Sequence, residues 1–182
     1  MSEAFSIGGQ AADKRSHLRT LWLMLAGVTI PVLILDQASK LYVASHLRLY
    51  QMIALVPNVL DITYTLNPGA AFSLFVNLSP GLRAGMLFAI SAAAIVILTI
   101  LLGQARMITA NAVAFALILG GALGNLIDRA LRGRVIDFIY MHYYRWSYPV
   151  FNLADSAITI GVVLILIASL RGADDAPPGV DA

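Results

Sequence analysis

Two carboxylates with apolar neighbours are separated by only 17 residues: Asp137, within Val135-Ile136-Asp137-Phe138-Ile139-Tyr140, and Asp155, within Phe151-Asn152-Leu153-Ala154-Asp155-Ser156. Close carboxylates resist ionising together, so such a pair holds one proton between them. The ionised member can take a proton from water while the protonated one polarises a carbonyl. That chemistry hydrolyses an amide without a nucleophilic side chain or a metal. Each aspartate alone also has a plainer reading. Asp137 reads as a solvent-facing residue of an edge strand. Asp155, three residues after the N-cap candidate Asn152, reads as part of a well-capped helix, at the positive end of its dipole. The pairing is what favours chemistry.

Three further motifs hold most of the other polar groups. From Thr20 to Arg171 there is no Glu and only five Asp: Asp36, Asp61, Asp128, Asp137 and Asp155. Asp36-Gln37-Ala38-Ser39-Lys40 places a carboxylate and an ammonium at i and i+4 on one helix face, which reads first as a buried ion pair. Asn67-Pro68-Gly69-Ala70-Ala71-Phe72-Ser73 is turn chemistry followed by small residues. It reads equally as a return turn or as a close approach of the Asn67 amide to a peptide. In Gly120-Gly121-Ala122-Leu123-Gly124-Asn125-Leu126-Ile127-Asp128-Arg129, glycines four apart suit close helix packing in lipid. Asn125, Asp128 and Arg129 fall at i, i+3 and i+4, so three polar groups converge at one helix end.

The elements that must position these residues belong to a membrane protein. Of 182 residues, 59% are apolar and 12% charged, half the roughly 25% charged of a soluble domain. The mean hydropathy is +0.81. Apolar stretches at about 18–40, 84–105, 107–128 and 153–171 approach the ~20 residues that cross a bilayer. Pro31 predicts a kink in the first. A cleaved signal peptide is the weaker reading of that span, because Asp36 and Lys40 stand where a cleavage region is small and neutral. Segments 45–82 and 129–152 lie outside the bilayer. The runs 52–56 and 59–66, alternating around Pro57-Asn58, predict a strand pair at the interface. Tyr140, Tyr143, Tyr144, Trp146 and Tyr148 belong at headgroup level. Residues 1–17 and 172–182 read as disordered tails.

Four spans bring both termini to one side and all five aspartates to the opposite face. The basic residues near span ends number five on the termini side and seven on the other, which leaves orientation open. A net charge of +2 argues against nucleic acid as a partner. The absence of Cys excludes disulfides and a Cys nucleophile, and three scattered His predict no metal.

Taken together, Asp36-Gln37-x-x-Lys40, Asn67-x-Gly69-Ala70-Ala71-Phe72, Gly121-x-x-Gly124-Asn125-x-x-Asp128-Arg129, Val135-x-Asp137-Phe138 and Phe151-Asn152-x-Ala154-Asp155 resemble the lipoprotein signal peptidase (signal peptidase II) family from about Leu18 to Arg171. The resemblance implies a mainly α membrane protein, with four spans and a small β segment on the periplasmic face. It implies an inner-membrane aspartic endopeptidase with cytoplasmic termini and no cofactor, expected to be a monomer. The substrates it implies are prolipoproteins in the membrane, cut just before a lipobox Cys carrying diacylglycerol. Carried over residue by residue, Asp137 and Asp155 are catalytic. Asn67, Gly69, Asn125, Arg129, Asn152 and Ala154 line the site or contact substrate, while Asp36, Lys40 and Asp128 support the structure. Asp61 takes no role from the family.

Two other classes fit less well. A transporter or proton channel should string ionisable groups across the bilayer, yet there is no charge between Ala84 and Ala105 or between Met107 and Ile127. A non-catalytic assembly subunit would explain the glycines but not the paired aspartates.

Overall fold

The computed structural model describes residues 15–69 and 78–171. The C-terminal tail expected over 172–182, most of the N-terminal one and the Ala70, Ala71, Phe72 and Ser73 part of the Asn67 motif lie outside the described residues. Among the described residues four helices are long and apolar enough to cross a membrane, and they carry a small antiparallel sheet, as the residue pattern predicts.

Helix α1 (Arg15–His46) already includes Arg15, Ser16 and His17, which read as tail from sequence. Just before Pro31 it widens into a π-helical turn over Leu25–Thr29, with the Ile30 N–H donating to the Leu25 carbonyl. Proline lacks an N–H and its ring crowds the carbonyl four residues back, so a wider turn relieves the clash. Helix α2 (Pro80–Gln104) starts on proline, whose missing N–H is surplus in a first turn. Helix α3 (Ala110–Arg132) starts where Thr109 accepts a hydrogen bond from the Ala112 N–H at 3.1 Å. It ends on Gly133 in the left-handed region, φ 67°. Helix α4 (Leu153–Leu170) begins at Asn152 in a capping box.

Helix α3 packs against each of the other three. Half of its most apolar stretch is buried, against 17%, 11% and 22% for α1, α2 and α4, which therefore turn most of their surface to lipid. The core is Met24, Leu98, Leu102, Ala112, Ala116 and Leu119, toward the α1 N-terminal end. Toward the other end the packing relies on glycines. A Cβ on Gly120 would lie 2.9 Å from the Thr29 carbonyl of α1, and one on Gly121 would strike the Ala154 carbonyl of α4. One on Gly124 would strike the Asp36 carboxylate. Gly124→Ala is therefore expected to destabilise the protein by about 1–3 kcal/mol, read as a lower unfolding temperature in detergent. An unchanged temperature would mean that α1 can yield.

The sheet has the order β1-β2-β3-β4, with β1 (Met52–Val56), β2 (Leu60–Asn67), β3 (Val135–Tyr143) and β4 (Trp146–Ser147). Asn58 turns the β1–β2 hairpin at φ 61°. Strands β2 and β3 pair antiparallel, with Thr65 opposite Asp137 and Asn67 opposite Val135. On the other edge of β3, the Phe138 and Ile139 N–H groups both donate to the Phe151 carbonyl, at 3.0 and 2.8 Å. Strand β3 is thus interior, and Val135, Ile136, Asp137 and Phe138 are buried. The edge-strand reading of Asp137 is corrected here: its strand is flanked on both edges and the residue is buried, 2% exposed.

Candidate active site

Asp137 comes from the buried half of β3 and Asp155 from the first turn of α4. Asn152, the residue before that helix, touches both. Its side-chain oxygen accepts from the Asp155 N–H at 2.9 Å, and its own N–H donates to Asp155 Oδ2 at 3.2 Å. This is the reciprocal cap that the plainer reading of Asp155 described. With its oxygen so committed, the Asn152 amide nitrogen must face the other way. It donates to Asp137 Oδ1 at 2.6 Å, with the Ile136 carbonyl and Asn125 Oδ1 at 3.2 and 3.3 Å.

The same logic fixes two more amides. A backbone N–H or an ammonium can only donate, so whichever amide atom it meets must be the oxygen. Gly69 N–H donates to Asn67 Oδ1 at 2.8 Å, which turns the Asn67 nitrogen onto Asp137 Oδ2 at 2.9 Å. Gly69 closes this turn at φ 86°, where a side chain would be strained and would also run into Leu87. Lys40 Nζ donates to Asn125 Oδ1 at 3.0 Å, which turns the Asn125 nitrogen onto Asp155 Oδ1 at 2.8 Å. Three amides therefore aim N–H groups at the two carboxylates.

Behind them, Lys40 spends its three protons on Asn125, on Asp36 Oδ2 at 2.8 Å and on Asp128 Oδ2 at 3.0 Å. Lys40, Asp36 and Asp128 are all 0% exposed. Each acid also holds an element of the site. Asp36 Oδ1 accepts from the Ala154 N–H at 2.9 Å, and Asp128 accepts from the Ile136 N–H at 3.2 Å and from Arg132 at 2.6 Å. The α1 ion pair is thus joined to the first turn of α4 and to the strand that carries Asp137.

Burial first, and then the charge of Asp155, push the Asp137 carboxyl up to about 7. The Asn67 and Asn152 hydrogen bonds and the Lys40 charge oppose the rise. Arg129 interacts electrostatically with Asp155, Asp137 and Asp128, but the hydrogen bond its guanidinium makes is to Ser91 of α2, at 3.4 Å. Ala154 contributes backbone and small size, its methyl lying against Gly124. Asp61 stays apart on β2, paired with His142 at 3.1 Å.

Asn67, Gly69, Asn125, Asn152, Ala154, Asp36, Lys40 and Asp128 therefore converge around the two aspartates, with Arg129 at one side. Sequence reasoning missed Arg132 and Thr65 and gave no role to Gln37, although it stands in the Asp36-Gln37-x-x-Lys40 motif. Arg132 stands four residues after Asp128, a spacing that could have revealed it. Gln37 donates to the Gly124 carbonyl at 3.1 Å, and Thr65, which donates to the Asp137 carbonyl at 3.1 Å, carries no spacing signal.

A groove of about 380 Å³ opens beside Asp155, with Met141, Trp146, Tyr148, Phe151, Thr159 and Ile160 along it. An extended apolar chain laid there would pass next to the Asp155 carboxylate. Two carboxylates bridged by one Asn152, surrounded by N–H donors and bordered by apolar surface, are the kind of groups that acid–base chemistry on an amide needs.

Comparison with known proteins bears on which amide. The family described as Signal peptidase (SPase) II matches residues 28–171. The lipoprotein signal peptidase of Pseudomonas paraeruginosa is 42% identical over 164 residues, covering 87% of this chain and 92% of that protein. That of Pseudomonas fluorescens is 44% identical over 160 residues, covering 86% and 90%. A bacterial membrane enzyme solved by the in meso method at 2.3 Å superposes with a TM-score of 0.72 at 32% identity, covering 90% of this chain and 94% of that one.

Proposed function

Because this chain belongs to the signal peptidase II family, multi-pass bacterial membrane peptidases that remove signal peptides from prolipoproteins during lipoprotein maturation, we propose that it does so as an aspartic endopeptidase with Asp137 and Asp155 as its catalytic pair. The observation that carries this reading is Asn152, which bonds both carboxylates at once in a buried site.

In this reading Asp137 holds the shared proton and Asp155 is ionised. Asp155 takes a proton from a water as its oxygen attacks the scissile carbonyl, and Asp137 donates to the carbonyl oxygen. Collapse of the tetrahedral intermediate breaks the C–N bond as one of its hydroxyls returns a proton to Asp137, and the proton taken from water passes from Asp155 to the leaving amine. Asn67, Asn125 and Asn152 keep the acids aligned throughout, while Arg129 offers positive charge beside the pair. The substrate is a prolipoprotein whose lipobox Cys carries diacylglycerol, cut just before that Cys. Its apolar segment follows the groove beside Asp155 while the acyl chains stay in lipid. The enzyme acts as a monomer in the inner membrane, with both termini cytoplasmic and the sheet and the aspartates toward the periplasm.

The test is cleavage of a diacylglyceryl-modified lipobox peptide by the purified protein. Cleavage before the lipidated Cys, unaffected by chelator, supports the proposal; cleavage elsewhere, or loss with chelator, overturns it. The pH profile adds a sign. Activity needs one proton on the pair, so kcat should fall as pH rises through about 7, where Asp137 loses its proton. The folded chain also binds that proton more tightly than the unfolded one. Stability should therefore decline as pH rises from the ordinary aspartate range toward about 7. A kcat flat from pH 6 to 9 would remove Asp137 from the proton-holding role.

A further inference from the structure

A second concavity lies at the other end of the bundle from the aspartates. Its volume is about 470 Å³, and Arg15, Arg19, Thr20 and Leu23 of α1 line it together with Arg106 and Met107 from the α2–α3 connection. Thr20 Oγ1 donates to the Arg106 carbonyl at 3.0 Å, which fastens that connection to α1 and fixes the depth of the crevice. Arg15 and Arg19 stand at i and i+4, where like charges repel. Among the described residues neither makes an ion pair, and the five described aspartates belong to the opposite end. The apolar lining of the crevice is exposed at Leu23, Met107 and Ile108, as are Leu18 and Trp22 on the same stretch of α1.

Depth along α1 matches a lipid leaflet. Leu23 is one turn from Arg19, about 6 Å at helical rise, close to the roughly 5–7 Å of headgroup region on each side of the hydrocarbon core. Trp22 sits between them, at the level where indoles favour the interface. We propose that this crevice binds the headgroup of an anionic phospholipid, with Arg15 and Arg19 taking the phosphate and the acyl chains lying along Leu23 and its apolar neighbours. Guanidinium forks match phosphate oxygens in pairs, and basic pockets between helices select acidic headgroups in this way. A soluble phosphate would satisfy the arginines but not the apolar rim.

The test is a lipid titration of the full-length protein in neutral detergent, read by native mass spectrometry. Phosphatidylglycerol, phosphatidylcholine and inorganic phosphate would be compared for wild type and Arg15→Gln/Arg19→Gln. Wild type should retain phosphatidylglycerol in preference to phosphatidylcholine, and millimolar phosphate should not displace it. The double variant should bind it about 25-fold more weakly, at about 5-fold per arginine, and Arg15→Lys/Arg19→Lys should keep most of the affinity. The unfolding temperature without lipid should not change, which separates lost binding from lost fold. Equal retention of the two lipids, unchanged binding in the Gln variant, or displacement by phosphate would each overturn the proposal.

Discussion

Asp137→Asn and Asp155→Asn should each reduce cleavage of the lipidated peptide by about 10³–10⁴-fold, the scale of a positioned acid or base. Both variants should still be folded and inserted. Neither change is silent in the hydrogen-bond network, however. Both oxygens of Asp137 accept from amide nitrogens whose own oxygens are held by obligate donors, so an Asn there sets one NH2 against another. The same holds for Asp155 against Asn125 and the Asn152 N–H. One lost hydrogen bond is expected to cost about 1–2 kcal/mol, offset at position 137 by relief from burying an acid whose proton is held only to about 7. Thermal unfolding at pH 8 beside the cleavage assay separates the two effects. Activity within tenfold of wild type in either folded variant would move the chemistry away from this pair.

The second large effect should come from a residue that touches neither Asp137 nor Asp155. Lys40→Met removes a buried cation from between two buried acids, Asp36 and Asp128. Breaking a buried pair by deleting one partner typically costs about 3–5 kcal/mol, enough to empty the folded state of a marginal protein. Asp128 keeps Arg132, so the orphaned charge is chiefly Asp36. The double variant Asp36→Asn/Lys40→Met should therefore recover a substantial part of the lost stability, since an Asn oxygen can still accept from the Ala154 N–H. Folded yield and unfolding temperature in detergent measure both. The recovered protein should still show lowered kcat, because Asn125 has lost the donor that fixes its orientation toward Asp155. Wild-type kcat in the double variant would show that Lys40 serves the fold alone.

Much of this organisation could be read from the residues. The helices were legible because an apolar run of about 20 residues has few alternatives in a bilayer. The β1–β2 pair was legible because its alternation breaks at Pro57-Asn58. The convergence of the carboxylates at one end of the bundle followed from counting spans. The Gly120/Gly124 spacing pointed to close packing and is found against α1, although that spacing did not include Gly121, which faces α4.

What the residue order determined by itself was local: which segments are helical, which residues cap or turn them, and which charges lie too near lipid to be accidental. Tertiary structure decided the rest, because hydrogen bonds between distant segments have no period in the sequence. The position of Asp137 on an interior strand depends on Phe151 pairing from beyond the β4 hairpin. The orientation of the Asn125 amide depends on Lys40, 85 residues away, and the anchoring of α4 depends on Asp36, 118 residues away. From sequence, Asp36 and Lys40 formed a self-contained ion pair at i and i+4. Folding left each with donors or acceptors to spare in a place without water, and buried polar groups must find partners. The partners within reach were the residues around Asp137 and Asp155.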